Sequence, residues 1–279
     1  MGHTRGSADG GAGIIRSEPD PSRDKGINMA EERWQIHAHR GGRSEFDENT
    51  LSAFQASYAA GLRGFETDVR MCKDGALVIM HDASIERMTL GAGEVEDLTE
   101  AELRRVRSRK GNPILFLDEL VAFFADKPGL YIEYEMKTDP VRYPQAKLET
   151  YCRKLHDTIV PRVSAQTTVV FTSFDQRPLA LFQQAFPDAE RMLITGEPCC
   201  AATIQEAQAL GVKRLACTWD GSTRASVRAG HEAGLILAGW PGRTVEDYLL
   251  GVALGFDHLC ADNPVEVLAF KNRNLAWLK

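Results

Sequence analysis

From Trp34 onward, short apolar runs alternate with amphipathic stretches, and this alternation limits the fold more than any other feature of the chain. Glycine, proline, asparagine and aspartate residues mark the joints between the two kinds of segment. The apolar runs that predict strands are WQIHAH, GFETDV, ALVIMH, GLYIEYEM, TTVVFTSF, RMLIT, VKRLACTW, LILAGW and FDHLCAD. The amphipathic stretches that predict helices include NTLSAFQASYAAGL, SFDQRPLALFQQAF, TIQEAQALG, TRASVRAGHEAG and TVEDYLLGVALG.

Alternating strands and helices over residues 34–279 predict a single α/β domain, a (β/α)8 TIM barrel. A doubly wound open sheet is the alternative, but the first turn, HRGGRSEFDENT, lacks the G-x-G-x-x-G spacing of a dinucleotide-binding turn. In both folds the chemistry is expected at the carboxyl ends of the strands. Residues 1–33 are rich in Gly, Ser, Asp and Pro and lack a signal-type apolar segment, so we predict a disordered tail there.

The composition argues against several classes of partner. A net charge of −6 argues against nucleic acid. No uninterrupted apolar run reaches membrane-spanning length, so we expect no stable membrane insertion. The six cysteines are scattered and match no zinc-binding pattern, which predicts reduced thiols and a cytoplasmic protein. The oligomeric state is left open.

Four predicted strand ends carry ionisable groups that a packed barrel interior would not tolerate unpaired. Residues two apart on a strand share a face, so each set points the same way. In chain order the groups are His39 and Arg40; Glu66 and Asp68; His81; and Glu133, Glu135 and Lys137.

The carboxylates Glu66, Asp68 and Glu135 would form an all-oxygen cluster, which suits one Mg²⁺ or Ca²⁺ ion better than zinc. With Arg40 and Lys137 beside it, the cluster predicts a phosphate group held on a metal, with histidines free for proton transfer. Each feature alone has a plainer interpretation, such as a solvated strand end. Their joint occurrence at strand ends favours a catalytic site.

His37 and His39 raise a second interpretation, because amidohydrolase barrels also begin with a zinc-binding His-x-His. Those enzymes need further histidines from the middle strands, and VVFTSF and RMLITG supply none. Only Asp262 could serve as the aspartate of the last strand. We therefore reject the zinc hydrolase interpretation, and we expect the remaining histidines to be surface or satisfied polar residues: His156, His231 and His258.

The motif pattern resembles the glycerophosphodiester phosphodiesterase family over nearly the whole predicted barrel. The matching segments are, in order, AHRGG, ENTLSAF, AGLRGFETDVRMCKDGALVIMHDASIERMT, YEMK, FTSFD, GW and CADNP. Members of that family are metal-dependent (β/α)8 enzymes that cleave glycerophosphodiesters to sn-glycerol 3-phosphate and an alcohol. The resemblance therefore implies an enzyme with a small-molecule glycerophosphodiester substrate and one divalent cation, Mg²⁺ or Ca²⁺.

The resemblance also implies roles, carried over by motif. His39 and His81 would be the catalytic acid–base pair, with His39 as base and His81 as acid. Arg40, Lys137 and the tryptophan of GW, Trp240, would bind the substrate. The ligands of the cation would be Glu66, Asp68 and Glu135, while His37 occupies a position that is usually apolar in the family and is expected to be dispensable for catalysis.

This chain departs from the family pattern at three places. Glu133 adds a fourth carboxylate, which we expect to orient Lys137 or another basic residue beneath the phosphate. The segment PGRTVED after Trp240 changes the wall that contacts the alcohol, and the short segment after HDASIERMT leaves no room for a large cap.

Two other functions stay open. One is a phospholipase-D-like or lysophospholipase-D-like phosphodiesterase on lipid substrates, for which the cations of LRRVRSRKG could face a membrane. The other is a non-catalytic phosphate-binding barrel, which would have no need for an acid–base pair.

Overall fold

A closed barrel of eight parallel strands forms the centre of the computed structural model, which describes residues 1, 2 and 34–275. The expected tail at residues 1–33 lies outside the described residues, apart from the first two. The described residues form nine strands: β1 (Gln35–His39), β2 (Gly64–Met71), β3 (Leu77–Ile79), β4 (Tyr131–Met136), β5 (Thr168–Ser173), β6 (Glu190–Pro198), β7 (Arg214–Thr218), β8 (Ile236–Gly242) and β9 (His258–Ala261). All but β3 belong to the ring, which closes because β1 pairs in parallel with both β9 and β2. The predicted (β/α)8 fold is confirmed.

Helices cover the outside of the barrel. They are α1 (Leu51–Ala59), α2 (Glu100–Leu103), α3 (Leu117–Phe124), α4 (Gln145–Ile159), α5 (Gln176–Ala185), α6 (Ala201–Ala209), α7 (Arg224–Glu232), α8 (Val245–Leu254) and α9 (Pro264–Asn274). Local chemistry sets several of their starts: the Thr50 hydroxyl accepts a hydrogen bond from the amide of Ala53, and Asp175 accepts one from the amide of Arg177. None of the helices in the described part of the chain is long and apolar enough to span a bilayer.

The run ALVIMH differs from the prediction, because it adds no strand to the ring. Its strand β3 pairs antiparallel with the outer end of β2, with Ile79 opposite Val69. The physical reason is loop length: residues 72–76 are too few for the crossover that a parallel neighbour requires. The hairpin turns the chain back towards the barrel, where the amide of Met80 donates to the carbonyl of Asp68. His81 therefore reaches the barrel mouth from outside the ring.

The barrel interior has an apolar half and a charged half. Buried apolar side chains, most of them from β5 to β8, form one cluster: Tyr131, Val170, Met192, Ile194, Ala216 and Ala238. The charged side chains at the mouth lie on or directly after β1, β2, β4 and β9. The register pairs His39 with Glu66, and Asp68 with Glu135, so the strands bring these groups together at the mouth.

Candidate active site

The first strand ends in a left-handed turn that shapes the site. The φ angle is +53° at Arg40, +76° at Gly41 and +101° at Gly42. A Cβ on Gly41 would lie 3.0 Å from that of Ala53, so glycine also allows the close approach of α1. The turn directs the amide of Arg40 at Glu66 Oε2, 3.0 Å away. The glycines of HRGG thus position both an arginine and a carboxylate.

The three predicted metal ligands converge. One carboxylate oxygen each from Glu66, Asp68 and Glu135 lies within 4.8 Å of the other two, and all three residues are buried. Burial raises the pKa of Glu66 well above its usual range, and the nearby carboxylates of Asp68 and Glu135 raise it further. Glu66 Oε1 and Asp68 Oδ1 have no hydrogen-bond partner among the described residues. A hard divalent cation fits this set, since it would satisfy both oxygens and relieve the repulsion.

Two cations flank the carboxylates. Lys137 Nζ lies 2.6 Å from Glu135 Oε1 and 3.2 Å from Asp68 Oδ1. Arg40 Nε lies 3.3 Å from Asp68 Oδ2. Burial would raise the pKa of Asp68, but the charges of Lys137 and Arg40 outweigh it and hold that pKa below its usual range. Both cations line the same cavity as Glu66 and Glu135.

Two supporting residues were not singled out in the sequence, although the motif ENT contains them. Glu48 Oε1 accepts from Arg40 Nη1 at 3.1 Å, and Arg87 also contacts this carboxylate at 2.7 Å. Asn49, at a φ of +57°, donates from Nδ2 to Asp68 Oδ2 at 2.8 Å. These contacts fix the rotamers of Arg40 and Asp68.

His39 is held by a carboxylate from the last strand. Its Nδ1 lies 2.5 Å from Asp262 Oδ1, and its Nε2 lies 3.8 Å from Glu66 Oε2. Burial lowers the pKa of His39, and the hydrogen bond to Asp262 offsets only part of that effect. The Asp262 contact assigns the proton to Nδ1 and leaves Nε2 able to accept one. The sequence suggested Asp262 only as a zinc ligand, so its role beside His39 was missed.

His81 has a similar arrangement. Its Nδ1 lies 2.6 Å from Asp82 Oδ1, and Arg87 contacts the other oxygen of that carboxylate. Arg70 donates to the carbonyl of His81 from Nε at 3.0 Å and from Nη2 at 2.9 Å. Burial is the main cause that lowers the pKa of His81. Asp82 thus orients His81 as Asp262 orients His39.

A cavity of about 300 Å³ brings the predicted site residues together. Those that line it are His39, Arg40, Glu66, His81, Glu135, Lys137 and Trp240, while Asp68 is fully buried beside them. Trp240 packs edge-to-face on Phe174, at 5.6 Å between ring centroids, and donates from Nε1 to the carbonyl of Thr195. Arg43 and Arg243, which the sequence did not single out, also line the cavity.

Glu133 has a partner other than Lys137. Its Oε1 lies 3.1 Å from Nδ1 of His37, which is fully buried, while the Lys137 ammonium contacts Glu135 and Asp68. We expected Glu133 to orient Lys137 or another basic residue. The expectation for Lys137 is wrong, and the basic residue that Glu133 contacts is His37. The reason is depth: Glu133 lies one inward position below Glu135 on β4, where it reaches His37 instead of Lys137.

Comparison with known proteins identifies the family. The sequence pattern of the glycerophosphoryl diester phosphodiesterase family matches residues 39–266. The chain belongs to this family. The resemblance found in the sequence is therefore confirmed.

Individual relatives show the same likeness. A glycerophosphodiester phosphodiesterase of Bacillus altitudinis is 31% identical over 58% of this chain and 66% of its own length. One from Caldanaerobacter subterraneus is 36% identical over 39% of this chain and 47% of its own length. The matches thus span between about half and two thirds of those relatives. A phosphodiesterase of Oleispira antarctica, solved with the product sn-glycerol-3-phosphate, superposes with a TM-score of 0.78 at 21% identity, covering 85% of this chain and 96% of the other. At that identity it supports the fold alone.

Proposed function

We propose that this protein hydrolyses glycerophosphodiesters to sn-glycerol 3-phosphate and an alcohol, with the help of one divalent cation. One observation carries the proposal. Two histidines, each oriented by an aspartate, line the same cavity as two cations and two carboxylates of the buried trio. A phosphodiester bond needs this combination of proton transfer and charge neutralisation.

Phosphate binding and cation binding are assigned to different residues of the site. Arg40 and Lys137 bind the phosphate and neutralise charge as it grows in the transition state. Glu66, Asp68 and Glu135 would hold the cation, Mg²⁺ or Ca²⁺, which supplies further charge neutralisation when it is bound.

We assign the general base to His39 and the general acid to His81. The side chain of His39 is only 15% exposed and lies deep in the cavity, whereas that of His81 is 31% exposed. A bulky leaving alcohol is more easily accommodated at the mouth, so His81 is better placed to protonate it. Burial lowers the pKa of His39, which suits it to accept a proton. The hydrogen bond to Asp82 raises the pKa of His81 against the effect of burial and so favours the protonated form that a general acid needs. The same pair can serve attack by the glycerol 2-hydroxyl or by water.

The lipid-directed alternative has less structural support. Two arginines of LRRVRSRKG are engaged within the protein: Arg104 pairs with Glu100 and Glu119, and Arg109 donates to the carbonyls of Arg87 and Glu86. Part of this basic segment is therefore already paired within the protein. The non-catalytic alternative leaves the orienting contacts of His39 and His81 unexplained.

The six cysteines, all of them free thiols, are in keeping with a reducing, cytoplasmic setting.

A substrate panel tests the proposal. Glycerophosphocholine, glycerophosphoethanolamine, glycerophosphoinositol and lysophosphatidylcholine are incubated with the protein and Mg²⁺ or Ca²⁺, and sn-glycerol 3-phosphate is assayed enzymatically. We expect its release from the water-soluble diesters. Choline release from lysophosphatidylcholine alone would support the lipid-directed alternative, and no turnover of any diester would support a binding protein.

A further inference from the structure

A second ionisable cluster lies deeper in the barrel, apart from the carboxylate trio. It consists of His37 on β1, Glu133 on β4 and His258 on β9. Their exposed fractions are 0%, 4% and 1%. One ligand atom from each lies within 4.8 Å of the other two. The proposed catalytic chemistry uses none of them.

The contact between His37 and Glu133 is close but is not a hydrogen bond. Nδ1 and Oε1 are 3.1 Å apart, yet each lacks a hydrogen-bond partner within the described part of the chain. The other nitrogen of His37, Nε2, lies 3.1 Å from Gln35 Oε1, an acceptor that places the proton on Nε2. Nδ1 then presents a lone pair beside a carboxylate. Two buried, unpaired ligand atoms at this spacing, with a third ligand atom within 4.8 Å of both, are typical of a metal site.

His258 presents a second unused nitrogen. Its Nδ1 is buried and has no hydrogen-bond partner among residues 34–275, so it was wrongly expected to be a surface or satisfied polar residue. Burial lowers the pKa of His258 well below its usual range, and the charge of Arg214 adds to this, so the ring is neutral. An unpaired buried polar atom is costly. A bound cation would remove that cost.

The surroundings hold both rings in place. Tyr131 stacks on His37, with ring centroids 4.4 Å apart, and meets the edge of His258 at 4.7 Å. On β2 the facing residue is Gly64, where an added Cβ would lie 2.5 Å from Cδ2 of His37. The imidazole thus occupies space that a side chain at position 64 would fill. The ligands are preorganised rather than free to turn.

We propose that His37, Glu133 and His258 form a second metal site, for a transition-metal ion with Zn²⁺ as the preferred occupant. Two imidazoles and one carboxylate suit zinc, whereas the oxygen trio above suits Mg²⁺ or Ca²⁺. Tetrahedral ligands about 2.0 Å from zinc lie roughly 3.3 Å apart, close to the 3.1 Å between His37 and Glu133. Glu133 also lines the floor of the active-site cavity, which gives the ion a route of entry. The ion would tie three strands together beneath the active site.

Zinc binding tests the proposal directly. Metal-stripped protein is saturated with Mg²⁺ or Ca²⁺ to fill the oxygen trio and is then titrated with Zn²⁺ by calorimetry. We expect one tight site per chain, and an affinity at least about a hundredfold lower in His258→Gln and in Glu133→Gln, the upper end for changes around a metal. His156→Gln is the matched control, because His156 stacks on Phe186 on the outer face of the barrel. Equal zinc affinity in the wild-type protein and in a folded His258→Gln variant would overturn the proposal.

X-ray absorption at the zinc edge gives a measurement that needs no variant. The spectrum of the wild-type protein with one equivalent of Zn²⁺, after the same saturation, should show two imidazole nitrogens in the zinc coordination shell. Zinc should also raise the Tm of the wild-type protein and of His156→Gln. A shell of oxygen alone, or one containing sulfur from the free thiols, would contradict the site even if the variants failed to fold.

Discussion

Asp262 Oδ1 lies 2.5 Å from Nδ1 of His39, so the last strand of the barrel orients the histidine that ends the first. The closure of the ring creates this contact, because β9 and β1 are neighbours although their residues are more than two hundred positions apart. The contact fixes the proton on Nδ1 and directs Nε2 towards the carboxylates. The general base that we assign to His39 depends on it.

Asp262→Asn should lower turnover by about tenfold to a hundredfold, as for other groups that orient a ligand or base. The loss of its charge should also move the acid limb of kcat/KM to lower pH, because Asp262 raises the pKa of His39. Asp257→Asn is the control, since Asp257 pairs with His231 at 2.8 Å on another part of the barrel. An unchanged pH profile in Asp262→Asn would show that this carboxylate does not set the pKa of His39 during catalysis.

His39→Ala and His81→Ala should each lose at least about a hundredfold in turnover, the low end for a general acid or base. His37→Ala should keep most of its turnover, because His37 is buried below the cavity and does not line it. Initial rates on glycerophosphocholine, with circular dichroism to check folding, measure the difference. If His37→Ala were as inactive as His39→Ala, the two histidines would have to act together.

Glu133→Gln should preserve metal dependence and substrate ranking, because Glu133 contacts His37 and neither Lys137 nor Arg40. We expect turnover to fall by at most about tenfold. The free energy of unfolding should fall by about 1–3 kcal/mol, the cost of disturbing a buried polar contact. Denaturant titration and a comparison of glycerophosphocholine with glycerophosphoinositol check both points. A sharp change in preference between these substrates would place Glu133 in the substrate pocket.

Stability without bound metal should fall as the pH drops below about 6.5, the usual pKa of histidine. His258 has a lowered pKa in the folded protein, so below that pH the unfolded chain binds more protons than the folded one. The free energy of unfolding then decreases by up to about 1.4 kcal/mol per pH unit for this residue. His258→Asn should show a shallower decrease between pH 6.5 and 5 in urea titrations. Parallel decreases in the two proteins would mean that His258 does not titrate differently on unfolding.

Much of the fold was predictable because its signals are local. Apolar runs and amphipathic stretches mark strands and helices, and the two-residue spacing of Glu66 and Asp68 places them on one face. The exception is β3, which lies outside the ring although its sequence looks like that of the other apolar runs. Only the short connection from Met71 to Leu77 shows that it cannot be a parallel neighbour of β2.

The missed features are contacts between residues distant in sequence. Asp262 beside His39 and His258 beside His37 depend on ring closure, which periodicity within one segment does not reveal. The partner of Glu133 depends on depth along the barrel axis: Glu133 is level with Glu66 on β2, one inward position below Asp68 and Glu135. Strand register sets these levels, and the sequence alone does not give the register.

Metal dependence is the most direct test of the central claim, that the Glu66–Asp68–Glu135 trio supports hydrolysis of glycerophosphodiesters. Release of sn-glycerol 3-phosphate from glycerophosphocholine is measured for the protein after EDTA treatment and dialysis, and again after Mg²⁺ or Ca²⁺ is restored. We predict that chelation abolishes activity, that one of these ions restores it, and that Glu66→Gln is not restored. Full activity after exhaustive chelation would contradict the account.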